Sequence, residues 1–243
     1  MATKRPCFAS PRSSKPRVRG SRGSRRSPPE VEAPRWNPDL AGTYDRVAAP
    51  YGEQFFDELA RKPFDRELLD RFAARLSGRG LVCDVGCGPG HVGRYLAERG
   101  VDVFGLDLSP GMVALARRLN PSMRFEQGDL RAQRLPDASL AGIVAFYSLI
   151  HLERTEIVSA LTELARVLVH AGPILIAFHG GDGEAHADDW FGCGVSIDAA
   201  LYRPTDMAAA MEQAGFRVES ITTRAPYDFE YQSTRAYAAG VKR

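Results

Sequence analysis

A glycine-rich turn at residues 84–90 constrains the fold of this chain more than any other feature of its sequence. The turn reads DVGCGPG; it ends a short apolar run at residues 81–85 and precedes a helical pattern at residues 91–99. Glycines at such a junction let the backbone turn sharply and approach a ligand without interference from Cβ atoms. The first turn of the following helix offers free backbone N–H groups. The pattern predicts a strand–turn–helix unit with a ligand at the turn.

The spacing of the glycines separates this turn from that of dinucleotide-binding proteins. Gly86, Gly88 and Gly90 give GxGxG, and His91 stands where a GxGxxG pattern has glycine or alanine. A pyrophosphate is therefore not the obvious ligand. Asp107 ends the next apolar run, 21 residues after Gly86, where a carboxylate can accept hydrogen bonds from both hydroxyls of a ribose. The alternative is a tight turn without a ligand.

Apolar runs alternate with helical patterns along most of the chain. Helices are predicted at residues 43–59, 63–76, 91–99, 112–119, 153–169 and 205–214, and strands at 81–85, 101–106, 123–126, 140–147, 173–178, 216–222 and 236–241. This alternation predicts βαβ units and a mostly parallel sheet, with the last two strands as an antiparallel pair. Residues 180–203 are predicted to form a polar loop. Its aromatic residues are typical of a loop that caps a small-molecule pocket, although an ordinary solvated loop is the alternative.

The net charge of +2 hides a basic tail and an acidic body. Residues 1–29 carry nine Lys or Arg and no acid, which leaves 23 basic against 30 acidic residues in 30–243. The tail is rich in Ser, Pro and Gly, so residues 1–36 are predicted to be a disordered basic tail ahead of one domain at 37–243. A transit peptide and an arm that binds nucleic acid or another partner remain alternatives. The acidic body disfavours a large nucleic-acid footprint.

The remaining composition favours a soluble protein of a reducing compartment. Four cysteines stand far apart without a CxxC pair, which argues against a disulfide scaffold and a zinc ribbon. The longest apolar run, at residues 140–150, is about half the length of a membrane span. No signal peptide is recognised at the first residues, so the expected location is cytoplasmic, and no membrane partner is expected.

Four motifs resemble those of the class I S-adenosylmethionine-dependent methyltransferases. They are VCDVGCGPG at residues 82–90, VDVFGLDLSPGM at 101–112, QGDL at 127–130, and RVL at 166–168 followed by AGPIL at 171–175. The family usually has Gly-Gly where this chain has Gly172-Pro173. The resemblance implies a Rossmann-like, doubly wound α/β fold with a mostly parallel seven-stranded sheet, an antiparallel last strand and N-terminal helices over the site. It also implies S-adenosyl-L-methionine as the cofactor.

The resemblance further implies which residues contact that cofactor. Asp107 would bind the ribose hydroxyls, Leu108 would pack on the adenine, and Asp129 and the Leu130 N–H would meet its polar edge. The remaining cofactor-binding candidates are Tyr44, Asp84, Gly86, Cys87, Gly88, Gly90, Met112 and Phe146. Tyr44 could instead be a core residue and Asp129 a turn residue. No metal site is predicted, and Cys83 and Cys87 are interpreted as small buried residues.

The acceptor is predicted to be a small molecule, methylated on O, N or C, of the kind found in specialised metabolism. His151 and Tyr147, after the fourth strand, are the catalytic candidates, and Ser148, His179 and Asp182 lie nearby in the pattern. The segment at residues 145–148 lacks the Asn/Asp-Pro-Pro-aromatic run typical of adenine and glutamine methylation. One alternative is cyclisation or aminocarboxypropyl transfer with release of methylthioadenosine. A less favoured one is RNA methylation guided by the basic tail. The oligomeric state is not predicted.

Overall fold

The computed structural model describes residues 37–243, so the predicted basic tail lies outside the described residues. The helices are α1 (Leu40–Phe55), α2 (Pro63–Leu76), α3 (His91–Ala97), α4 (Pro110–Leu119), α5 (Ile157–Val167) and α6 (Pro204–Gln213). The strands are β1 (Val82–Val85), β2 (Val103–Asp107), β3 (Arg124–Gln127), β4 (Gly142–Phe146), β5 (Pro173–Gly180), β6 (Glu184–Ala187), β7 (Ile197–Ala200), β8 (Phe216–Arg224) and β9 (Thr234–Lys242). Short 3₁₀ turns occupy Glu58–Arg61, Leu149–His151 and Trp190–Gly192.

Seven strands form one sheet in the order β3-β2-β1-β4-β5-β9-β8. Strands β1 to β5 pair in parallel, whereas β9 is antiparallel to both β5 and β8. This arrangement confirms the predicted Rossmann-like sheet with its antiparallel last strand. The strand order reverses between β1 and β4, and ligands of such sheets bind at the carboxyl ends of the strands on either side of this reversal.

Helices cover both faces of the sheet, which explains the continuous apolar runs of its central strands. One buried cluster packs α5 and α6 against the sheet, and another packs α2 and α3 against it. Every residue of β1 is buried, including the carboxylate of Asp84. A parallel strand that is covered on both faces needs apolar residues at successive positions, because it has no solvent side.

Helix α1 lies across the carboxyl edge of the sheet, as the N-terminal helices were expected to do. Its Val47 is fully buried in a cluster with Met112 and Leu115 of α4. Asp45 accepts a hydrogen bond from the Gly111 N–H at 2.7 Å and therefore fixes α1 over the first turn of α4. Tyr44 and Tyr51 then reach the space above the glycine-rich turn.

The prediction of a loop at residues 180–203 was wrong, because this segment contains the antiparallel hairpin β6–β7. Ala185 and Ala187 of β6 face the core, while Glu184 and His186 are exposed. Alanine and glutamate have low strand propensity, so their alternation did not predict a strand. The hairpin places Trp190 and Ile197 in the cluster that holds α1.

Two absences hold for the part of the chain from residue 37 onward. Within it no helix is long and apolar enough to cross a membrane. The same residues include no group of three or more His, Cys, Asp or Glu placed to hold a metal ion.

Candidate active site

The glycine-rich turn brings three backbone segments together at the carboxyl edge of the sheet. Gly86 has a φ of +66°, and a Cβ built on it would overlap the side chain of Ser148, the second residue after β4. The Gly86 N–H donates to the carbonyl of Leu106 in β2 at 2.7 Å. Only glycine meets both the positive φ and the close approach, so the turn depends on this residue.

Asp107 is held at the end of β2 by two backbone donors. Its Oδ2 accepts from the Gly88 N–H at 2.8 Å and its Oδ1 from the Ser109 N–H at 2.9 Å. Burial raises the pKa of Asp107 above its ordinary value, and the two N–H donors oppose that rise. Each carboxylate oxygen keeps a second lone pair for a ligand hydroxyl.

A cleft of about 280 Å³ opens above the turn, and eight of the predicted cofactor residues line it. They are Tyr44, Gly86, Gly88, Asp107, Leu108, Asp129, Leu130 and Phe146. We call this cleft the cofactor pocket. Ser148 lines it as well, and the buried Ser148 hydroxyl has no hydrogen-bond partner among the described residues.

The other four predicted cofactor residues are not among the residues that line this cleft. Asp84 is 2% exposed and accepts from the Gly93 N–H at 2.9 Å, and burial raises its pKa to about 7. The Cys87 side chain packs against Phe125, and a Cβ on Gly90 would also strike that ring. Met112 is buried against α1. In this structure these residues shape the walls of the cleft from behind.

Asp129 lines the cleft but already has a partner. Arg131 binds both carboxylate oxygens, at 2.7 Å from Nη2 to Oδ2 and 3.0 Å from Nε to Oδ1. Burial raises and the Arg131 hydrogen bonds lower the pKa of Asp129, with a net fall. A ligand amino group would share this carboxylate with Arg131.

A second cavity of about 130 Å³ adjoins the cofactor pocket. Four residues line both spaces: Tyr44, Tyr51, Tyr147 and His151. The second cavity extends from these four toward two groups of residues. One is aromatic, from α1 and the hairpin, and the other is ionic, around Lys62, Glu230 and Arg235. We call this space the second pocket.

His151 stands at the junction in a defined tautomer. Its Nδ1 lies 2.9 Å from the Asp198 carbonyl, which can only accept, so Nδ1 carries the proton. Its Nε2 therefore accepts from the Tyr44 hydroxyl, at 2.6 Å. Burial lowers the pKa of His151 to about 4. The imidazole is neutral near pH 7, and the lone pair of its Nε2 faces Tyr44.

Tyr147 stands at the same junction in a strained backbone conformation, with a φ of +56°. Lys62 Nζ and Arg235 Cζ lie 5.7 and 5.3 Å from the centre of its ring. Burial raises the pKa of Tyr147, so its hydroxyl stays protonated at neutral pH. A non-glycine residue with positive φ costs of order 1–3 kcal/mol and is concentrated at functional sites.

His179 and Asp182, predicted to lie near the catalytic candidates, occupy different places in the structure. His179 is buried at the ionic end of the second pocket, 5.1 Å from the Tyr147 ring centre to centre. Asp182 instead pairs with Arg203 and lines neither space. His179 and Asp182 are close in sequence, but β5 ends between them. Their side chains therefore lie in different places, which their spacing in the sequence did not indicate.

Sequence reasoning missed the ionic residues of the second pocket. Lys62 precedes α2. More than 160 residues later, Glu230 lies just before β9 and Arg235 lies within it. Lys62 Nζ and Glu230 Oε1 are nevertheless 3.1 Å apart. No local spacing links such residues, so only the fold reveals the cluster.

Comparison with known proteins identifies the domain that carries this site. Residues 82–172 match the family model described as "Methyltransferase domain". The match runs from the first residue of β1 to the residue before β5, and thus includes the glycine-rich turn, Asp107 and Asp129. Residues 82–172 of this chain therefore form a methyltransferase domain, and they contain the motifs that resemble those of the S-adenosylmethionine-dependent enzymes. The cofactor expected of this methyltransferase domain is S-adenosylmethionine.

Curated relatives share this methyltransferase domain. Malonyl-[acyl-carrier protein] O-methyltransferase of Serratia marcescens is 33% identical over 140 residues, 56% of this chain and 48% of that protein. Demethylmenaquinone methyltransferase of Beutenbergia cavernae is 34% identical over 145 residues, 57% of each chain. The chain thus spans about half the length of the curated relatives that it matches.

A solved structure shares the fold at lower identity. An S-adenosylmethionine-dependent methyltransferase from Methanosarcina mazei superimposes with a TM-score of 0.63 at 16% identity, over 70% of this chain and 95% of that one. At this identity the likeness concerns the fold alone.

The residues of the cofactor pocket fit the cofactor of the methyltransferase domain. The buried, unpartnered Ser148 hydroxyl faces the pocket beside Gly86, where a polar group of the cofactor can meet it. The Asp107 carboxylate has free lone pairs for ribose hydroxyls, and Leu108 and Leu130 offer apolar surface for an adenine ring. These observations are independent of the family match.

Proposed function

We propose that this chain transfers the methyl group of S-adenosylmethionine to a small-molecule acceptor held in the second pocket. The observation that carries the proposal is the wall shared by the two pockets, formed by Tyr44, Tyr51, Tyr147 and His151. A donor and an acceptor bound on opposite sides of this wall meet at these residues. The names of two relatives, which act on malonyl-[acyl-carrier protein] and demethylmenaquinone, support an acceptor other than nucleic acid.

In this proposal the cofactor residues bind and orient rather than react. Asp107 accepts from the ribose hydroxyls, and the Ser148 hydroxyl meets the methionine portion. When bound, the cofactor supplies an electrophilic methyl group on a sulfonium. The rings of Tyr44, Tyr51 and Phe146 line the pocket and present π faces that stabilise a nearby positive charge.

Tyr44 and His151 are proposed to take the proton that the acceptor loses. The Tyr44 hydroxyl receives the proton from the acceptor and passes its own to His151 Nε2, along the 2.6 Å hydrogen bond. His151 is neutral and ready to accept, since burial lowers its pKa to about 4. The protonated imidazole is unfavourable in a buried site. That cost is offset because methyl transfer removes the sulfonium charge nearby, so the positive charge in the site is moved and not increased.

Tyr147 is proposed to shape the acceptor site and not to act as a base. Burial raises the pKa of Tyr147, so its hydroxyl stays protonated near pH 7, and among the described residues no hydrogen-bonded base takes its proton as His151 does for Tyr44. Its ring separates Lys62 and Arg235 from the cofactor pocket, and it lines both pockets. The proposal therefore assigns the two catalytic candidates different tasks.

Transfer of a deuterated methyl group tests the proposed acceptor class. The full chain is incubated with methyl-deuterated S-adenosylmethionine and, separately, with a small-metabolite extract, total RNA or a protein extract. We expect a deuterated methyl product in the metabolite arm, and the Tyr44→Phe variant should form it more slowly. Label confined to RNA or protein would contradict the small-molecule acceptor.

A further inference from the structure

The carboxylates in the wall of the second pocket are fully engaged by the protein itself. Glu230 Oε1 accepts from Lys62 Nζ at 3.1 Å and Arg224 Nη2 at 3.0 Å. Its Oε2 accepts from Arg224 Nη1 at 2.7 Å and the Tyr227 N–H at 2.8 Å. Burial alone would raise the pKa of Glu230, but Arg224 and Lys62 lower it to about 2. Glu230 thus stays ionised and has no capacity left for a ligand donor.

Glu58, which lines the second pocket near α1, is also paired within the protein. Lys62 Nζ lies 2.8 Å from its Oε2, and His91 Nε2 lies 3.3 Å from its Oε1. Although burial opposes it, the Lys62 charge is the main cause that lowers the pKa of Glu58 to about 2. The acidic side chains of this pocket therefore do not define a site for a cationic ligand.

Arg235 retains an unused donor in the same pocket. Its side chain is buried, with Nη1 donating to His179 Nδ1 at 2.7 Å and Nη2 to the Tyr231 carbonyl at 3.0 Å. Its Nε makes no hydrogen bond and lies 3.5 Å from Glu230 Oε2, an oxygen that already accepts two. A guanidinium cannot accept, so Arg235 can be completed only by an acceptor group.

His179 supplies a second donor beside Arg235. The Arg235 Nη1 and Ser233 Oγ atoms both lie 2.7 Å from Nδ1. A guanidinium can only donate, so Nδ1 accepts and the proton of the neutral imidazole is on Nε2. Burial and the Arg235 charge lower the pKa of His179 well below its ordinary value, so the ring stays neutral. The Nε2 atom lies 3.5 Å from Arg235 Nη1, which is itself a donor and cannot accept its proton. The two unused donors thus belong to neighbouring side chains in the wall of the second pocket.

The opposite end of the second pocket is aromatic and has one buried donor. Trp190 is 5% exposed and its Nε1 has no hydrogen-bond partner among the described residues. The ring centre of Trp190 lies 5.3 Å from that of Tyr44 and 5.8 Å from that of Tyr51. A planar or apolar group fits this end, at the side of the shared wall.

The charges that line the second pocket leave one cation in excess. They are Arg61, Lys62 and Arg235 against Glu58 and Glu230. Arg61 lies over the Phe229 ring at 4.0 Å and has no ion-pair partner among the described residues. Arg61 is solvent-exposed, so the cation in excess lies at the open side of the pocket, where it complements a ligand with one negative charge.

We propose that the acceptor carries a carboxylate, which binds Arg235 and His179 while its planar or apolar body lies against the aromatic end at Tyr51 and Trp190. The inference rests on the proposed function, since it names the substrate class of the same site. A carboxylate supplies acceptor oxygens for the two donors and one negative charge beside the Arg235 guanidinium.

Matched pairs of ligands that differ in one charged group test this inference. The full chain is saturated with S-adenosylhomocysteine, and dissociation constants are measured for small aryl and alkyl carboxylates and for the amide of each. We expect the best carboxylate to bind at least about tenfold more tightly than its amide, the size of one charged hydrogen bond. Equal binding of the pairs, or no binding by any carboxylate, would overturn the inference.

Variants tie the preference to its residues. Arg235→Gln and His179→Gln should each reduce the carboxylate preference by about fivefold or more, with S-adenosylhomocysteine affinity unchanged. Arg203→Gln, an exposed change outside both pockets, is the control and should retain the preference. His179→Gln serves if Arg235→Gln does not fold. A carboxylate preference that survives both changes contradicts the assignment to Arg235 and His179. If the unmodified chain does not bind S-adenosylhomocysteine at all, the proposed function is contradicted instead.

Discussion

His151 depends on its burial at the junction of the two pockets for its neutral state. The pKa of His151 is about 4 in the folded chain and near 6.5 in the unfolded chain. Its contribution to stability is therefore complete above pH 6.5, where the imidazole is neutral in both states. The unfolded chain binds the proton first as the pH falls. Stability is therefore lost between about pH 6.5 and 4, and not on the alkaline side.

We expect His151→Gln to reduce this acid-side loss of stability. The pKa shift corresponds to at most about 3 kcal/mol in the free energy of unfolding, which the variant should not lose between pH 7 and 4. Urea unfolding of both proteins at several pH values measures the difference. The same pH slope in both would show that His151 is solvated in the folded chain.

Asp107 should contribute more to cofactor affinity than Asp129. Asp107→Ala removes a buried carboxylate with free lone pairs, so S-adenosylhomocysteine affinity should fall by about 30-fold or more. Asp129→Ala should cost less, because Arg131 already occupies that carboxylate. Calorimetric titration gives both values. A larger loss for Asp129 would contradict the proposed ribose contact.

The glycine-rich turn between β1 and α3 is the element most sensitive to substitution. Gly86 and Gly183 both have positive φ, but only a Cβ on Gly86 meets another residue. Gly86→Ala should therefore abolish cofactor binding and cost about 2 kcal/mol or more of stability, whereas Gly183→Ala should cost only the conformational strain, about 1 kcal/mol. Thermal unfolding and cofactor titration of both variants check this. Equal effects would mean that the Ser148 contact is unimportant.

Some elements could be predicted from the sequence because residues at their ends mark the boundaries. Pro63 at the first turn and Gly78 beyond the last define α2, and its predicted bounds are confirmed. The prediction of α5 from residue 153 was too long, because a Glu153–Glu156 turn precedes the helix at Ile157. The β6–β7 hairpin had no such markers.

Within the site, too, some residues could be predicted from local sequence motifs and others could not. The glycine-rich turn, Asp107 and their neighbours follow one another in the chain, so local motifs located them. Lys62 and Arg235 both reach Glu230 and the Tyr147 ring only because β9 inserts beside β5 and α2 packs nearby. The donors of the second pocket could not be predicted from any spacing.

At the scale of the whole molecule, the basic tail and the domain are predicted to work separately. The residues proposed to bind the cofactor and the acceptor all lie within the described residues 37–243. Removal of residues 1–36 should therefore leave methyl transfer to the small acceptor unchanged within about twofold, with no change in its salt dependence. Steady-state kinetics of the full and shortened chains at two ionic strengths test this. A steep, salt-dependent loss of activity would assign the tail to substrate binding.

The identity of the sulfur nucleoside formed from S-adenosylmethionine tests the central claim most directly. Methyl transfer leaves S-adenosylhomocysteine, and attack at the aminobutyrate side chain leaves methylthioadenosine. Mass spectrometry of the full chain with S-adenosylmethionine, with and without a small-metabolite extract, distinguishes the two. The proposed site predicts S-adenosylhomocysteine that forms only with the extract. Methylthioadenosine formed without any extract would contradict methyl transfer and identify the cofactor as the substrate that is cleaved.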